Sequence, residues 1–123
     1  MLLSQVVNVL GCERLLPLEG IDETVIAGCF AADLMSEVLA FCGHGALLVT
    51  GLATVQAVRT AAIADLAGVV FTRGKTVPPE VVALAKETRV PVFRSPRSLF
   101  EAAGALYAAL GLEAAQPERG RGA

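Results

Sequence analysis

Two stretches of the sequence, ALLVTGLAT at residues 46–54 and GVVFTRGK at residues 68–75, decide the fold. Each is a short apolar run that breaks into a segment with threonine and glycine, and each is followed by a helix-like segment. A strand that is buried on both faces of a parallel sheet is a continuous hydrophobic run. The two stretches therefore predict successive parallel strands whose exit loops open at the same edge, where open α/β folds bind ligands.

The flanking sequence extends this β-α pattern into one domain. Strands are expected over residues 12–16, 25–30, 46–49, 69–72 and 91–94, and helices over residues 3–10, about 33–41, 54–65, 78–86 and about 98–110. Asp33 is the predicted N-cap of the second helix, Thr54 that of the third, and Ser95 or Ser98 that of the last. The predicted fold class is α/β: a single domain with a small, mostly parallel sheet of four or five short strands flanked by helices.

The composition is that of a small and strongly apolar globular chain. Hydrophobic residues make up 54% of the 123 residues, and the excess is mostly Ala, Val and Leu. Such an excess predicts that part of the apolar surface is buried in a homodimer, through the alanine-rich helix 54–65 and neighbouring strand edges. Residues 113–123 have no apolar periodicity, so we place the domain at residues 1–112 and expect a disordered tail after it.

Several classes of protein are excluded. No apolar stretch approaches the roughly 20 residues of a membrane span, and the N-terminus lacks the basic region of a signal peptide, so we expect a cytoplasmic protein that binds no membrane. An odd count of cysteines, Cys12, Cys29 and Cys42, indicates buried reduced thiols. Cys42 and His44 lack a second pair of metal ligands, and His44 has no acidic partner by spacing. No metal or cofactor is expected.

Positive charge is concentrated in the second half of the chain. Residues 1–58 carry one basic and six acidic groups for a net charge of −5, whereas residues 59–123 carry nine basic and six acidic groups for +3. There is no long basic run, so nucleic acid is not an expected partner. Several basic residues follow predicted strand ends, which favours a small anion or nucleotide. The candidate ligand-binding residues on the three exit loops are Thr50, Gly51, Thr54, Thr72, Arg73, Gly74, Lys75, Arg94 and Ser95.

Each of the three loops also has a purely structural interpretation. The first is explained by a strand exit and the N-cap of Thr54, and the other two by solvated basic turns. The ligand interpretation depends on the convergence of all three loops at one edge of a parallel sheet. No catalytic residue is predicted: residues 74–76 read GKT, but Val69 stands where a phosphate-binding G-x-x-x-x-G-K-[ST] loop needs its first glycine.

The stretch from about Gly28 to Gly104 resembles the DRTGG domain. The resemblance rests, in order, on ADLMSEVLAF at residues 32–41, LVTG at 48–51, VFTRGK at 70–75, PPEVVALAK at 78–86, VPV at 90–92 and SLFEA at 98–102. The Asp-Arg-Thr slot of the family holds Leu52, Ala53 and Thr54. The Thr-Gly-Gly slot holds Thr72, Arg73 and Gly74. Because the family's charged Asp-Arg pair is missing, no role of that pair is carried over to this chain.

The resemblance implies an α/β fold of the kind found in small stand-alone proteins, beside CBS domains, in phosphate acetyltransferases and in relatives of HPr kinase. The function that the sequence indicates is a non-enzymatic regulatory or ligand-sensing module that forms a homodimer and binds a small anion or nucleotide. Two alternatives stay open: an enzyme or accessory subunit in phosphoryl-transfer chemistry, and a protein-interaction adaptor without a ligand.

Overall fold

The computed structural model describes residues 1–111. The strands are β1 (Glu13–Arg14), β2 (Cys29–Ala31), β3 (Leu47–Thr50), β4 (Gly68–Phe71) and β5 (Val92–Arg94). The helices are α1 (Leu3–Leu10), α2 (Met35–Phe41), α3 (Val55–Ile63), α4 (Pro79–Thr88) and α5 (Leu99–Leu110), with one 3₁₀ turn at Ile21–Glu23. The predicted α/β class is confirmed. The predicted domain end at residue 112 and the predicted tail over 113–123 lie outside the described residues.

The sheet has the strand order β1-β5-β4-β3-β2. The pairs from β2 to β5 are parallel, and β1 pairs with β5 in the antiparallel sense. The register aligns the strand ends, because Thr50 lies opposite Phe71 and Phe71 lies opposite Arg94. The exits of β3, β4 and β5 therefore meet at one edge, as the sequence predicts.

Two hydrophobic cores cover the two faces of the sheet. Side chains alternate between the faces along each strand, so that Leu48 packs with α2, α3 and α4 while Leu47 and Val49 pack with α1 and α5. All residues of β3 and β4 are buried, which explains why both strands are continuous apolar runs in the sequence.

The first strands differ from the prediction. The strand expected over 25–30 begins only at Cys29, because residues 24–26 pair with the N-terminus instead: the Leu3 amide donates to the Thr24 carbonyl and the Ile26 amide to the Met1 carbonyl. The strand expected over 12–16 is shortened to Glu13–Arg14.

The alanine-rich face of α3 has a partner within its own chain. Ala57 and Ala61 are fully buried in the core that α3 shares with α2 and α4. Small side chains there let neighbouring helices approach closely, and this internal packing removes the sequence argument for α3 as a dimer interface. The homodimer itself stays a prediction.

Candidate functional site

The exit loops of β3, β4 and β5 are hydrogen-bonded to one another. The Thr72 amide donates to the Thr50 carbonyl at 3.1 Å, and the Ser95 amide donates to the Phe71 carbonyl at 2.9 Å. The Gly74 amide in turn donates to the Ser95 carbonyl at 2.8 Å. These bonds fix the relative positions of the loops at one edge of the sheet, which we call the carboxyl edge (residues 33, 50–54, 72–75 and 94–97). Of the candidate residues there, Thr50, Thr72 and Ser95 are buried, whereas Arg73, Gly74 and Lys75 are exposed.

Asp33 lies in this edge, and the sequence interpretation missed it. Asp33 was predicted to be the N-cap of α2, but the N-cap is Leu34 and makes no side-chain hydrogen bond. Asp33 Oδ1 instead accepts bonds from the Thr50 hydroxyl at 3.0 Å and from the Gly51 amide at 2.7 Å. Asp33 follows β2 by two residues, so the rule that parallel strands end at one edge would have identified it.

Gly51 is surrounded by three polar groups. A Cβ atom at this position would lie 3.5 Å from each of Asp33 Oδ1, Lys75 Nζ and Thr72 Oγ1. Lys75 Nζ also donates to the Gly51 carbonyl at 2.6 Å. Gly51 does not have a positive φ, so its backbone conformation does not require glycine. The three distances are ordinary van der Waals contacts, so a Cβ atom would fit, whereas a longer side chain would extend into the space between the carboxylate, the ammonium group and the hydroxyl.

The loop after β4 contains two consecutive left-handed residues, Arg73 with φ of +65° and Gly74 with φ of +60°. The Arg73 amide donates to the Arg97 carbonyl at 2.8 Å, and the Gly74 amide is also bonded within the edge. These two amides are therefore not available to a ligand. The Arg73 side chain is exposed and is the part of this residue that can reach one.

Three other candidate residues make structural contacts. Arg94 binds Glu13 Oε2 through Nε and Nη2, and its Nη1 donates to the Lys75 carbonyl at 3.3 Å. Ser95 is fully buried, and its hydroxyl donates to the Leu10 carbonyl at 2.7 Å. Thr54 caps α3, as predicted, by accepting a bond from the Ala57 amide. Their contribution to a ligand site stays a prediction.

The start of α5 adds charge beside the carboxyl edge. Ser98 caps α5, and Glu101 accepts a bond from the Ser98 amide at 2.9 Å in a reciprocal capping box. That backbone bond, the Ser98 hydroxyl, and the nearby Arg97 and Arg73 together lower the pKa of the Glu101 carboxyl. The edge thus carries both signs of charge rather than a uniform basic field.

A cavity of about 310 Å³ lies at the opposite edge, where β3, β4 and β5 begin. His44, Asp65 and Arg89 are among its lining residues, and His44 Nδ1 lies 3.0 Å from Asp65 Oδ2. The expectation that His44 has no acidic partner is wrong, because Asp65 lies beside it in the connection between α3 and β4. Both side chains are largely exposed, and exposed pairs of this kind contribute little to stability.

The three cysteines form no disulfide, and a thiol whose pKa is raised by burial is a poor nucleophile. Burial raises the pKa of Cys12 to about 11, an effect that the positive charge of Arg14 partly offsets. Burial also raises the pKa of Cys29 to about 12, with a further contribution from Cys42. Among residues 1–111, no group of three or more His, Cys, Asp or Glu side chains is placed to hold a metal ion. No helix of these residues is long and apolar enough to cross a membrane.

Comparisons with known proteins agree on the fold. The family model of the DRTGG domain matches residues 5–109. The chain is also similar to a solved structure, the CBS and DRTGG domains of the regulatory region of a Clostridium perfringens pyrophosphatase in complex with its activator, diadenosine tetraphosphate. That similarity has a TM-score of 0.73 at 17% sequence identity and covers 97% of this chain and 51% of the other. This chain therefore spans about half the length of that regulatory region. No curated protein matches the sequence.

Proposed function

The chain belongs to the DRTGG domain family, and from this premise we propose that it is a non-enzymatic regulatory module that senses a nucleotide as a homodimer. The family assignment supplies the fold. A nucleotide ligand is supported by the similar solved structure, in which a regulatory region of CBS and DRTGG domains is complexed with diadenosine tetraphosphate. The cytoplasmic location expected from the sequence is part of the proposal.

The observation that carries the proposal is the arrangement around Gly51. Lys75 Nζ and Asp33 Oδ1 are both 3.5 Å from the point where a Gly51 side chain would begin. The Lys75 ammonium group has one bond to the Gly51 carbonyl and can donate further bonds to phosphate oxygens. Asp33 would repel an inorganic anion, but its carboxylate can accept bonds from ribose hydroxyls or base amino groups. A nucleotide presents both kinds of group.

Arg73 is the second cation that the proposal assigns to the ligand. Its side chain is exposed on the loop that also carries Lys75, and its guanidinium group can bind two phosphate oxygens at once. Arg94 lies at the same edge, but its side chain is bonded to Glu13. We therefore propose that Arg94 supports the loop that carries Lys75 and does not contact the ligand.

The test is isothermal titration calorimetry of the full chain with AMP, ATP, diadenosine tetraphosphate and inorganic phosphate. Lys75→Ala and Arg73→Ala should each weaken binding of the best nucleotide by about 1.5–3 kcal/mol, which is roughly 10- to 150-fold in Kd, because each removes a charge-assisted bond. Lys86→Ala is the matched control, since Lys86 is an exposed lysine in the last turn of α4.

The alternatives give different results. Tight binding of a nucleotide that is unchanged in both variants but lost in His44→Ala would place the ligand in the cavity at the opposite edge. Chromatographic detection of nucleotide turnover would support an enzyme of phosphoryl transfer. The absence of a heat signal with every nucleotide and with phosphate would contradict the sensing role and favour an adaptor without a ligand.

A further inference from the structure

The outward face of α5 is apolar and exposes two aromatic side chains. Phe100 is 88% exposed and Tyr107 is 43% exposed. Their spacing of seven residues places them on the same side of the helix, opposite the buried Ala102 and Leu106. Glu101 is the one charged residue of α5. A helix that is apolar on all sides is normally buried on all sides, so this outer face has the composition of an interface.

Gly104 lies between the two aromatic residues on the same face. A Cβ atom added at Gly104 would meet nothing within 4 Å, so packing inside the chain does not require glycine here. Its backbone φ is not positive, so conformation does not require glycine either. Glycine in a helix interior costs about 1 kcal/mol relative to alanine. A close approach of the backbone of another chain would explain why position 104 holds glycine rather than alanine.

The face is complementary to itself in an antiparallel arrangement. If two α5 helices cross at Gly104 about a twofold axis, Phe100 of one protomer meets Ala108 of its partner, and the two Gly104 positions allow the helix axes to come close. Each aromatic ring then lies over a small side chain rather than against another ring. Isologous contacts of this kind are typical of C₂ dimers.

From the exposed aromatic residues and the unexplained glycine, we infer that two copies of this chain associate through the outward faces of α5, crossing at Gly104. The inference rests on the homodimer in the proposed function and names its surface. It replaces the α3 surface predicted from the sequence, because Ala57 and Ala61 of that helix are fully buried inside the chain.

The area of this contact sets the expected strength. The four aromatic side chains of the pair, with the exposure they have here, and the small residues between them would bury on the order of 500–800 Å² in total. Stable complexes bury about 1,200–2,000 Å². The contact through α5 alone therefore predicts a weak, reversible dimer.

Sedimentation equilibrium of the full chain from about 1 to 300 µM tests the inference. Phe100→Ser and Gly104→Gln should each weaken the dimer at least about tenfold, because the first removes the aromatic contact and the second separates the helix axes. Gly104→Gln should not lower the melting temperature at low concentration, since glutamine is the better helix former and a Cβ atom at this exposed position meets nothing within 4 Å. Ile63→Ser is the matched control, because Ile63 is an exposed apolar residue of α3.

The outcomes separate this inference from nucleotide sensing. A dimer that survives both α5 variants, or that dissociates in Ile63→Ser instead, would overturn the α5 surface. A wild-type chain that sediments as a monomer throughout would overturn the α5 surface together with the homodimer. Neither result changes the calorimetric test of nucleotide binding, which is carried out on Lys75 and Arg73.

Discussion

Replacing Arg73 by glycine should make the domain more stable. Arg73 has a φ of +65° and is followed by Gly74 with a φ of +60°. The left-handed conformation costs an L-residue with a side chain about 1–2 kcal/mol, and glycine avoids this cost. The family motif places glycine in this slot, and the backbone shows the physical reason for that preference.

The magnitude follows from two opposing terms. Relief of the left-handed strain contributes about 1–2 kcal/mol, and the greater freedom of glycine in the unfolded chain offsets roughly 0.5–1 kcal/mol of it. The exposed Arg73 side chain makes no hydrogen bond within residues 1–111 that would be lost. We therefore expect Arg73→Gly to raise the free energy of unfolding by about 0.5–1 kcal/mol, equivalent to a rise in Tm of roughly 2–4 °C.

Urea unfolding monitored by circular dichroism measures this change. Arg73→Ala separates strain from charge, because alanine keeps the Cβ atom and should leave stability unchanged while weakening nucleotide binding. Arg89→Gly is a second control: Arg89 has a φ of +59° at the C-cap of α4, on the opposite edge of the sheet. It should be stabilising without any effect on the ligand. A lower free energy of unfolding in Arg73→Gly would refute the strain argument and would show that the arginine side chain supports the loop.

Three further results are expected. Ser95→Ala should cost about 1–3 kcal/mol in urea unfolding, because it leaves the Leu10 carbonyl without its buried partner; an unchanged midpoint would contradict this. Asp33→Ala should lower the free energy of unfolding by about 1 kcal/mol through loss of the bond to the Gly51 amide. A variant that is more stable than the wild type would mean that the carboxylate destabilises the folded domain. Cys29 should resist iodoacetamide at pH 8 until the chain is unfolded, because its pKa is raised to about 12; rapid alkylation of the folded chain would exclude this.

Features that depend on local sequence were predicted well. The buried strands β3 and β4 were predicted from uninterrupted apolar runs. A strand that is covered on both faces exposes no residues to solvent, so its sequence does not alternate with polar residues. The cap at Thr54 was predicted, and Ser98 was one of two predicted caps for the last helix. Both follow from local sequence, since a capping hydroxyl bonds to an amide three residues away.

Features that depend on contacts between distant parts of the chain were not predicted. Asp33 looks like an N-cap in sequence, but its carboxylate binds Thr50 and Gly51, which are 17 and 18 residues away. The contact between Lys75 and Gly51 could not be predicted either, because the Lys75 ammonium group donates to the Gly51 carbonyl across 24 positions of the sequence. The edge strand over 25–30 was misplaced because its first residues pair with the N-terminus.

The antiparallel pairing of β1 with β5 has a consequence for how the domain folds. The bond between Glu13 and Arg94 joins residues 81 positions apart, and the bond from Ser95 to Leu10 joins residues 85 positions apart. Closing such long loops costs chain entropy before any stabilising contact forms, so topologies with many contacts between distant residues fold slowly. On a ribosome β1 cannot pair until the fifth strand has emerged, whereas residues 1–3 can pair earlier with residues 24–26. The four parallel strands are free to assemble in order of synthesis, so the amides of β1 are expected to be among the last to become protected from hydrogen exchange.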